Sequence, residues 1–226
     1  MKFIEIWQKE FVMDKTIDEK ICVDKDGNPI PWYTFPAIEY LNQFDYEGKK
    51  IFEFGCGNSS RFWAARADKV ISVEDNPKWL EKWKEEFTEN NVEILYREEG
   101  PEYYNAILEK NEKYDIIVID GKNRADCAEN AIKCLADGGF IIVDDSDRIN
   151  TSHEYVDTMN NLKKGDFIQI DFYGFCPMTT YAKTTSLFLT RNYNPVSLYD
   201  VQPISGTGNI WHIKRGERKK LFRSLR

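Results

Sequence analysis

The sequence predicts an α/β fold: a doubly wound, mostly parallel sheet of seven strands with an antiparallel strand at its end. Three observations predict it. From residue 48 onward, short apolar runs alternate with amphipathic stretches, which demands a parallel sheet with right-handed crossovers. The run Tyr114-Asp115-Ile116-Ile117-Val118-Ile119-Asp120 is nearly continuous in apolar residues, as in a strand buried on both faces. The last two strand patterns, 167–172 and about 184–190, have no helical pattern between them, so they can pair antiparallel.

The elements follow in order. Residues 1–47 form a leader of mixed character, with a turn at Asp26-Gly27-Asn28-Pro29. An aromatic stretch, Pro31-Trp32-Tyr33-Thr34-Phe35-Pro36, precedes a short helical pattern through Ile38, Leu41 and Phe44. This stretch reads either as a lid over a ligand or as a strap packed on the sheet. Ile51–Phe54 is a short buried strand entering a Gly-Cys-Gly turn, and residues 60–67 read as a helix. Val70–Val73 is the next strand. Asn76-Pro77 then starts a helix, an Asx cap with proline at the first helical position. Trp79, Leu80, Trp83 and Phe87 are its apolar stripe. Val92–Tyr96 is the third strand, and Pro101 opens another helix. After the fourth strand, Ala128, Ala131, Ile132 and Leu135 give a helix that Gly138-Gly139 should stop. Phe140–Val143 is the fifth strand, and a helix is expected near 152–162. The expected organisation is a leader (1–47), a ligand-binding domain (48–192) and a C-terminal extension with a basic tail (193–226).

Composition narrows the function classes. The 226 residues carry 31 Lys/Arg, 38 Asp/Glu and a net charge of −7, with 42% hydrophobic residues, which is an ordinary soluble composition. No apolar run reaches the ~18 residues of a membrane span. The first ten residues carry acids where a signal peptide is apolar, which points to the cytoplasm. Five cysteines without a Cys-x-x-Cys pair argue for reduced structural thiols. Two histidines rule out a multi-histidine zinc site. The acidic balance disfavours nucleic acid as a partner. It is an average, however: residues 214–226 hold seven Lys/Arg and one acid, and the remainder is strongly acidic.

Open α/β sheets bind ligands at the carboxyl ends of their strands. Gly55 and Gly57 follow the first strand, Glu74 and Asp75 close the second, and Asp120 closes the fourth. Glycines in that turn permit close approach of a ligand, and an acid at the next strand tip suits ribose hydroxyls. A dinucleotide turn would want glycine where Ser60 stands. Glu53, two residues before the first glycine, is superfluous for a pyrophosphate but suits an ammonium group.

At these residues the chain resembles the class I S-adenosylmethionine-dependent methyltransferases, a Rossmann-like family. The matching segments are Glu53-Phe54-Gly55-Cys56-Gly57, Val73-Glu74-Asp75-Asn76, Tyr114 to Gly121, and Gly138 to Asp145. The resemblance implies S-adenosylmethionine held by Glu53, Gly55, Cys56, Gly57, Ser59, Glu74, Asp75, Glu99 and Asp120. Ser59 stands where many members carry a third glycine. It implies methyl transfer to a small-molecule acceptor, with a hydroxyl as the expected methyl-accepting group. The segment Pro31 to Leu41 resembles bacterial methyltransferases thought to act on sugars or glycans.

For transfer to oxygen the protein must align the partners and take up a proton. Asp120, His153 and Lys122 are the candidate catalytic residues, and Arg124 can counter the carboxylates. Asp120, Asp144 and Asp145 cluster at neighbouring strand tips. They resemble the Mg²⁺ site of cation-dependent O-methyltransferases, except that Asp145 stands where those have Asn. Two other classes compete. An NAD(P) oxidoreductase uses the same glycine turn but lacks a Tyr-x-x-x-Lys after the fifth strand. A nucleic-acid methyltransferase could use the basic tail but lacks Asn/Asp-Pro-Pro-Tyr after the fourth strand.

Overall fold

The computed structural model describes residues 3–207, with the side chains of residues 84 and 85 left aside. The basic tail at 214–226 lies outside the described residues. Seven strands form one sheet in the order β3-β2-β1-β4-β5-β7-β6. They are β1 (Lys50–Phe54), β2 (Lys69–Glu74), β3 (Val92–Tyr96), β4 (Tyr114–Ile119), β5 (Leu135–Val143), β6 (Phe167–Phe175) and β7 (Ala182–Thr190). The first five run parallel; β7 is antiparallel to both β5 and β6. This is the predicted architecture, and it places the switch point between β1 and β4.

Strand alternation divides the core. Ile51, Ile116, Val118, Phe140, Ile142, Leu187 and Leu189 pack on one face of the sheet. Phe52, Phe54, Ile117, Ile119, Ile141, Val143 and Phe188 pack on the other. Both faces are covered, so each of these side chains loses its water. That contributes roughly 1.5–3 kcal/mol per large apolar residue.

Helix α4 (Asn58–Ala64) covers the first face with Phe62 and Trp63. The leader joins it there through α3 (Phe35–Leu41), with Tyr33, Ala37 and Leu41 fully buried. Before it come α1 (Phe3–Lys9) and α2 (Met13–Glu19), which the sequence pattern did not resolve from the leader. Their aromatic anchors are Trp7, edge-on to Phe175 at 5.1 Å, and Phe11, 4.5 Å from Phe35. The aromatic stretch therefore straps the leader onto the sheet. Trp32 alone among Trp32–Phe35 remains open, at 44% exposure.

The second face is covered by α6 (Pro101–Asn105), α7 (Arg124–Cys134) and α8 (His153–Leu162), through Tyr103, Cys127, Ala131 and Leu162. Helix α5 (Pro77–Glu86) starts where predicted: Asn76 Oδ1 accepts from the Lys78 and Trp79 amides at 3.1 and 3.2 Å.

Several boundaries move by a few residues, and one differs in kind. Gly138-Gly139 do not stop a helix. Helix α7 ends at Cys134, and β5 already begins at Leu135, with a register shift against β4 between Tyr114 and Ile116. Gly139 is there because β5 presses on β4: a Cβ at this position would lie 2.4 Å from the Asp115 carbonyl oxygen.

Candidate active site

A cleft of about 810 Å³ opens over the carboxyl ends of β1, β2, β4 and β5. Strand order gives it two ends. The β1–β2 end holds the glycine turn. The β5–β7 end holds the carboxylate cluster.

At the first end, Gly55 has φ +101, and a Cβ there would meet the Asp120 carbonyl at 3.3 Å, so the turn needs glycine. The loop is tied on two sides. Glu74 Oε2 accepts from the Cys56 amide at 3.2 Å, and Trp79 Nε1 donates to the Cys56 carbonyl at 2.7 Å. Glu74 Oε1 also accepts from the Asn76 amide at 2.9 Å. Burial raises the Glu74 carboxyl above the ordinary range, against these two amides. Ser60 Oγ accepts from the Gly57 amide at 3.2 Å, a turn-closing use of the residue at the third glycine position.

Glu53 lies beneath the turn, 1% exposed, and still lines the cleft. Its Oε2 accepts from Ser72 Oγ at 3.1 Å, but its buried Oε1 has no hydrogen-bond partner. Burial pushes its carboxyl up to about 7, with Ser60, Ser59 and Ser72 opposing. An unpartnered buried carboxylate oxygen facing a cleft is costly unless a ligand donates to it. Cys56, Gly57, Ser59 and Asp75 also line this end. Glu99 does not: it is exposed and away from the cleft, and Trp79 stands at this end instead.

At the second end, Asp120, Asp144 and Asp145 converge, with one oxygen of each within 4.8 Å of the others. Cations are built in among them. Arg124, 6% exposed, donates to Gly121 O at 3.0 Å, Asp144 O at 2.5 Å and Asp120 Oδ1 at 2.9 Å. It ties the tips of β4 and β5 together. Arg148 pairs with Asp145 Oδ2 at 3.1 Å. Lys183 enters from β7, 5% exposed, and its Nζ donates to Asp144 Oδ2 and lies 3.2 Å from Asp145 Oδ1. Burial alone would lower the lysine, but Asp144, Asp120 and Asp145 outweigh it and raise it. Thr185 Oγ1 donates to the other oxygen of Asp144 at 2.7 Å and accepts from the Thr34 amide at 3.0 Å. The leader strap thus connects directly to the cluster.

This arrangement corrects the expectation of Mg²⁺. A hard cation needs several oxygens free to close around it at ~2.0–2.6 Å. Here an ammonium already sits between Asp144 and Asp145, and guanidinium groups take oxygens of Asp120 and Asp145. Three negative groups meet three positive ones, and the residues present do not fit a divalent ion.

Of the predicted catalytic residues, Asp120 lines the cleft with a side chain 33% exposed, and Lys122 lines it from an exposed position. His153 occupies the first position of α8, exposed and not among the residues that line the cleft. Sequence reasoning missed Lys183. Its one signal is alternation: Lys183 and Thr185 share the face that Leu187 and Leu189 turn to the core.

The five cysteines are free and buried. No helix among the described residues is long and apolar enough to cross a membrane.

Residues 52–146 match the family model described as a methyltransferase domain. No curated protein matches the chain. Solved structures share the fold. Precorrin-6y C5,15-methyltransferase from Geobacter metallireducens aligns with a TM-score of 0.55 at 13% identity, over 77% of this chain and 96% of that one. A SAM-dependent O-methyltransferase from Thermotoga maritima gives 0.51 at 15%, over 79% and 71%. A candidate rRNA methylase from Clostridium thermocellum gives 0.52 at 15%, over 74% and 98%. The NAD(P) oxidoreductase alternative is set aside by the matched domain. The strand order, the cleft at the switch point and the matched residues agree: residues 52–146 are similar to a methyltransferase domain, on a sheet whose fold those solved structures share.

Proposed function

We propose that the chain methylates a hydroxyl group of a small molecule, with the donor at the β1–β2 end of the cleft and the acceptor at the β5–β7 end. One observation carries this reading. Glu53, whose buried Oε1 has no hydrogen-bond partner, and Lys183 line the same cleft at its two ends. Bound S-adenosylmethionine supplies a methyl group on a sulfonium, already activated for displacement.

The residues fit that donor. Glu53 would receive its ammonium group, and Gly55, Cys56, Gly57 and Ser59 would surround its amino-acid part. Glu74 and Asp75 would take the ribose hydroxyls, and Trp79 would wall the base. Asp120 lies between the two ends, where it can orient either partner. The acceptor end is bounded by Trp32 and Tyr181, both half-exposed aromatics, above a buried floor of Lys183 and Asp144. Such a recess suits a small polar ring, a sugar included, better than an extended polymer.

The test is transfer from methyl-labelled donor by the full chain to a panel of phenols, sugars and hydroxy acids, with ribosomal RNA in parallel. Label on a small-molecule oxygen is expected. Label on RNA alone, lost with salt or with removal of residues 214–226, would move the function to nucleic acid.

A further inference from the structure

An ammonium stands among the carboxylates where a divalent metal would sit. Lys183 has three N–H groups. Two face carboxylate oxygens, on Asp144 and Asp145. The third is left for the cleft, beneath the Trp32 ring, whose centroid lies 5.5 Å from Nζ.

Asp145 supplies a second, independent observation. It is 7% exposed, and its Oδ1 is buried without an aligned hydrogen bond, even though Nζ of Lys183 is 3.2 Å away. Asp145 also has φ +55, a left-handed conformation that is uncommon outside glycine. A left-handed backbone on a cleft-lining residue, carrying a buried carboxylate oxygen held by charge without an aligned hydrogen bond, is an arrangement found at functional sites.

We infer that Lys183 and Asp145 together form the acceptor-hydroxyl site, with Lys183 as its resident cation in place of a divalent metal. This rests on the methyl-to-hydroxyl reading above. A hydroxyl seated there accepts from the third N–H of Lys183 and donates to Asp145 Oδ1, so the lysine gains an acceptor and the carboxylate oxygen an aligned donor. During transfer the acceptor O–H bond breaks and its proton goes to Asp145. The new O–C bond forms as the donor's C–S bond breaks, with that electron pair staying on sulfur. The ammonium next to the oxygen stabilises the negative charge that develops on it. Asp145 then returns the proton to water. Thr185 and Thr34 act at one remove, by holding Asp144 and through it the lysine.

The test uses Mn²⁺ alone as the probe, followed by loss of the free-ion paramagnetic resonance signal, on the full chain after chelator treatment. Wild type should leave Mn²⁺ free at millimolar concentration. Lys183→Met removes the charge, keeps the length and leaves one oxygen of each of the three carboxylates without a cationic partner, so it should bind Mn²⁺ at least tenfold more tightly than wild type. Lys183→Gln repeats the test should the methionine variant not fold. In Asp145→Asn, calorimetric donor affinity should stay within twofold. Transfer to an acceptor identified by the panel should fall by about 10²–10⁴-fold, the usual contribution of a positioned base. Tight Mn²⁺ binding by wild type, no gain in either folded lysine variant, or undiminished transfer by Asp145→Asn would each overturn the inference. The wild-type titration decides on its own if neither lysine variant folds. Because the metal arms need no acceptor, their failure is distinguishable from failure of the hydroxyl reading.

Discussion

Replacing Glu53 by Gln should weaken donor binding and stabilise the empty protein at the same time. Burial pushes this carboxyl up to about 7, so its folded value lies above the ~4.3 of an unfolded glutamate. Between those two values the native state holds a proton that the unfolded chain has released. The contribution to stability is therefore complete at low pH, falls as pH rises from ~4.3 to about 7, and is flat above. At about 1.4 kcal/mol per decade the gap amounts to about 4 kcal/mol of destabilisation above neutrality. Glu53→Gln removes the charge and recovers part of that, since the amide must also be buried. At about 2–4 °C per kcal/mol, the empty variant should melt several degrees higher than wild type in mildly alkaline buffer, and the advantage should vanish in acid.

Donor binding should move the other way. An ammonium on Glu53 Oε1 is a charge-assisted bond of about 1.5–3 kcal/mol, so the variant's Kd should rise roughly 10–100-fold. Wild-type Kd should also tighten about tenfold per pH unit up to neutrality and then level off, while the variant's stays flat. Calorimetry and thermal melts across the neutral range read both effects. Equal donor affinity in wild type and variant, or a wild-type Kd that ignores pH, would refute the placement of Glu53 under the donor's ammonium group.

Three further outcomes follow from the same geometry. Gly139→Ala should cost about 1–3 kcal/mol by driving a Cβ into the Asp115 carbonyl, with donor affinity unchanged, because the contact lies away from the strand tips; an unchanged melting temperature would show that β5 relaxes freely. Thr185→Val should cost about 1–3 kcal/mol, since it leaves the buried Thr34 amide and an Asp144 oxygen each short of a partner. A lower urea midpoint at constant m is the signature to look for. His153→Ala should leave kcat and KM unchanged; a hundredfold loss of kcat would place this exposed residue in the chemistry after all.

How much of this was legible in the sequence depends on whether the signal was local. β4 was legible because both of its faces are covered, so its apolar run is continuous. The start of α5 was legible because Asn76-Pro77 is a self-contained cap. Glu53, Gly55 and Glu74 were legible because one turn and two strand tips lie within about two dozen residues. The start of β5 was not: Gly138-Gly139 carries the same letters for a helix stop as for a strand pressed against a neighbour's backbone, and only the Asp115 contact separates them. Helices α1 and α2 were hidden because each is seven residues long and held by distant elements, α1 through Trp7 on Phe175 and α2 through Thr16, which accepts from the Met178 amide. Lys183 was hidden for the same reason. A lysine near a strand end reads as solvated until tertiary structure brings Asp144 and Asp145 around it. That one residue changes the chemistry of the acidic cluster from a metal site to a balanced set of ion pairs.

The most direct test of the central claim is a calorimetric titration of the full-length chain with S-adenosylmethionine, and in parallel with NAD⁺. The geometry of the cleft predicts saturable one-to-one binding of S-adenosylmethionine that weakens in Glu53→Gln, and no heat with NAD⁺. Saturable binding of NAD⁺ with none of S-adenosylmethionine would contradict it.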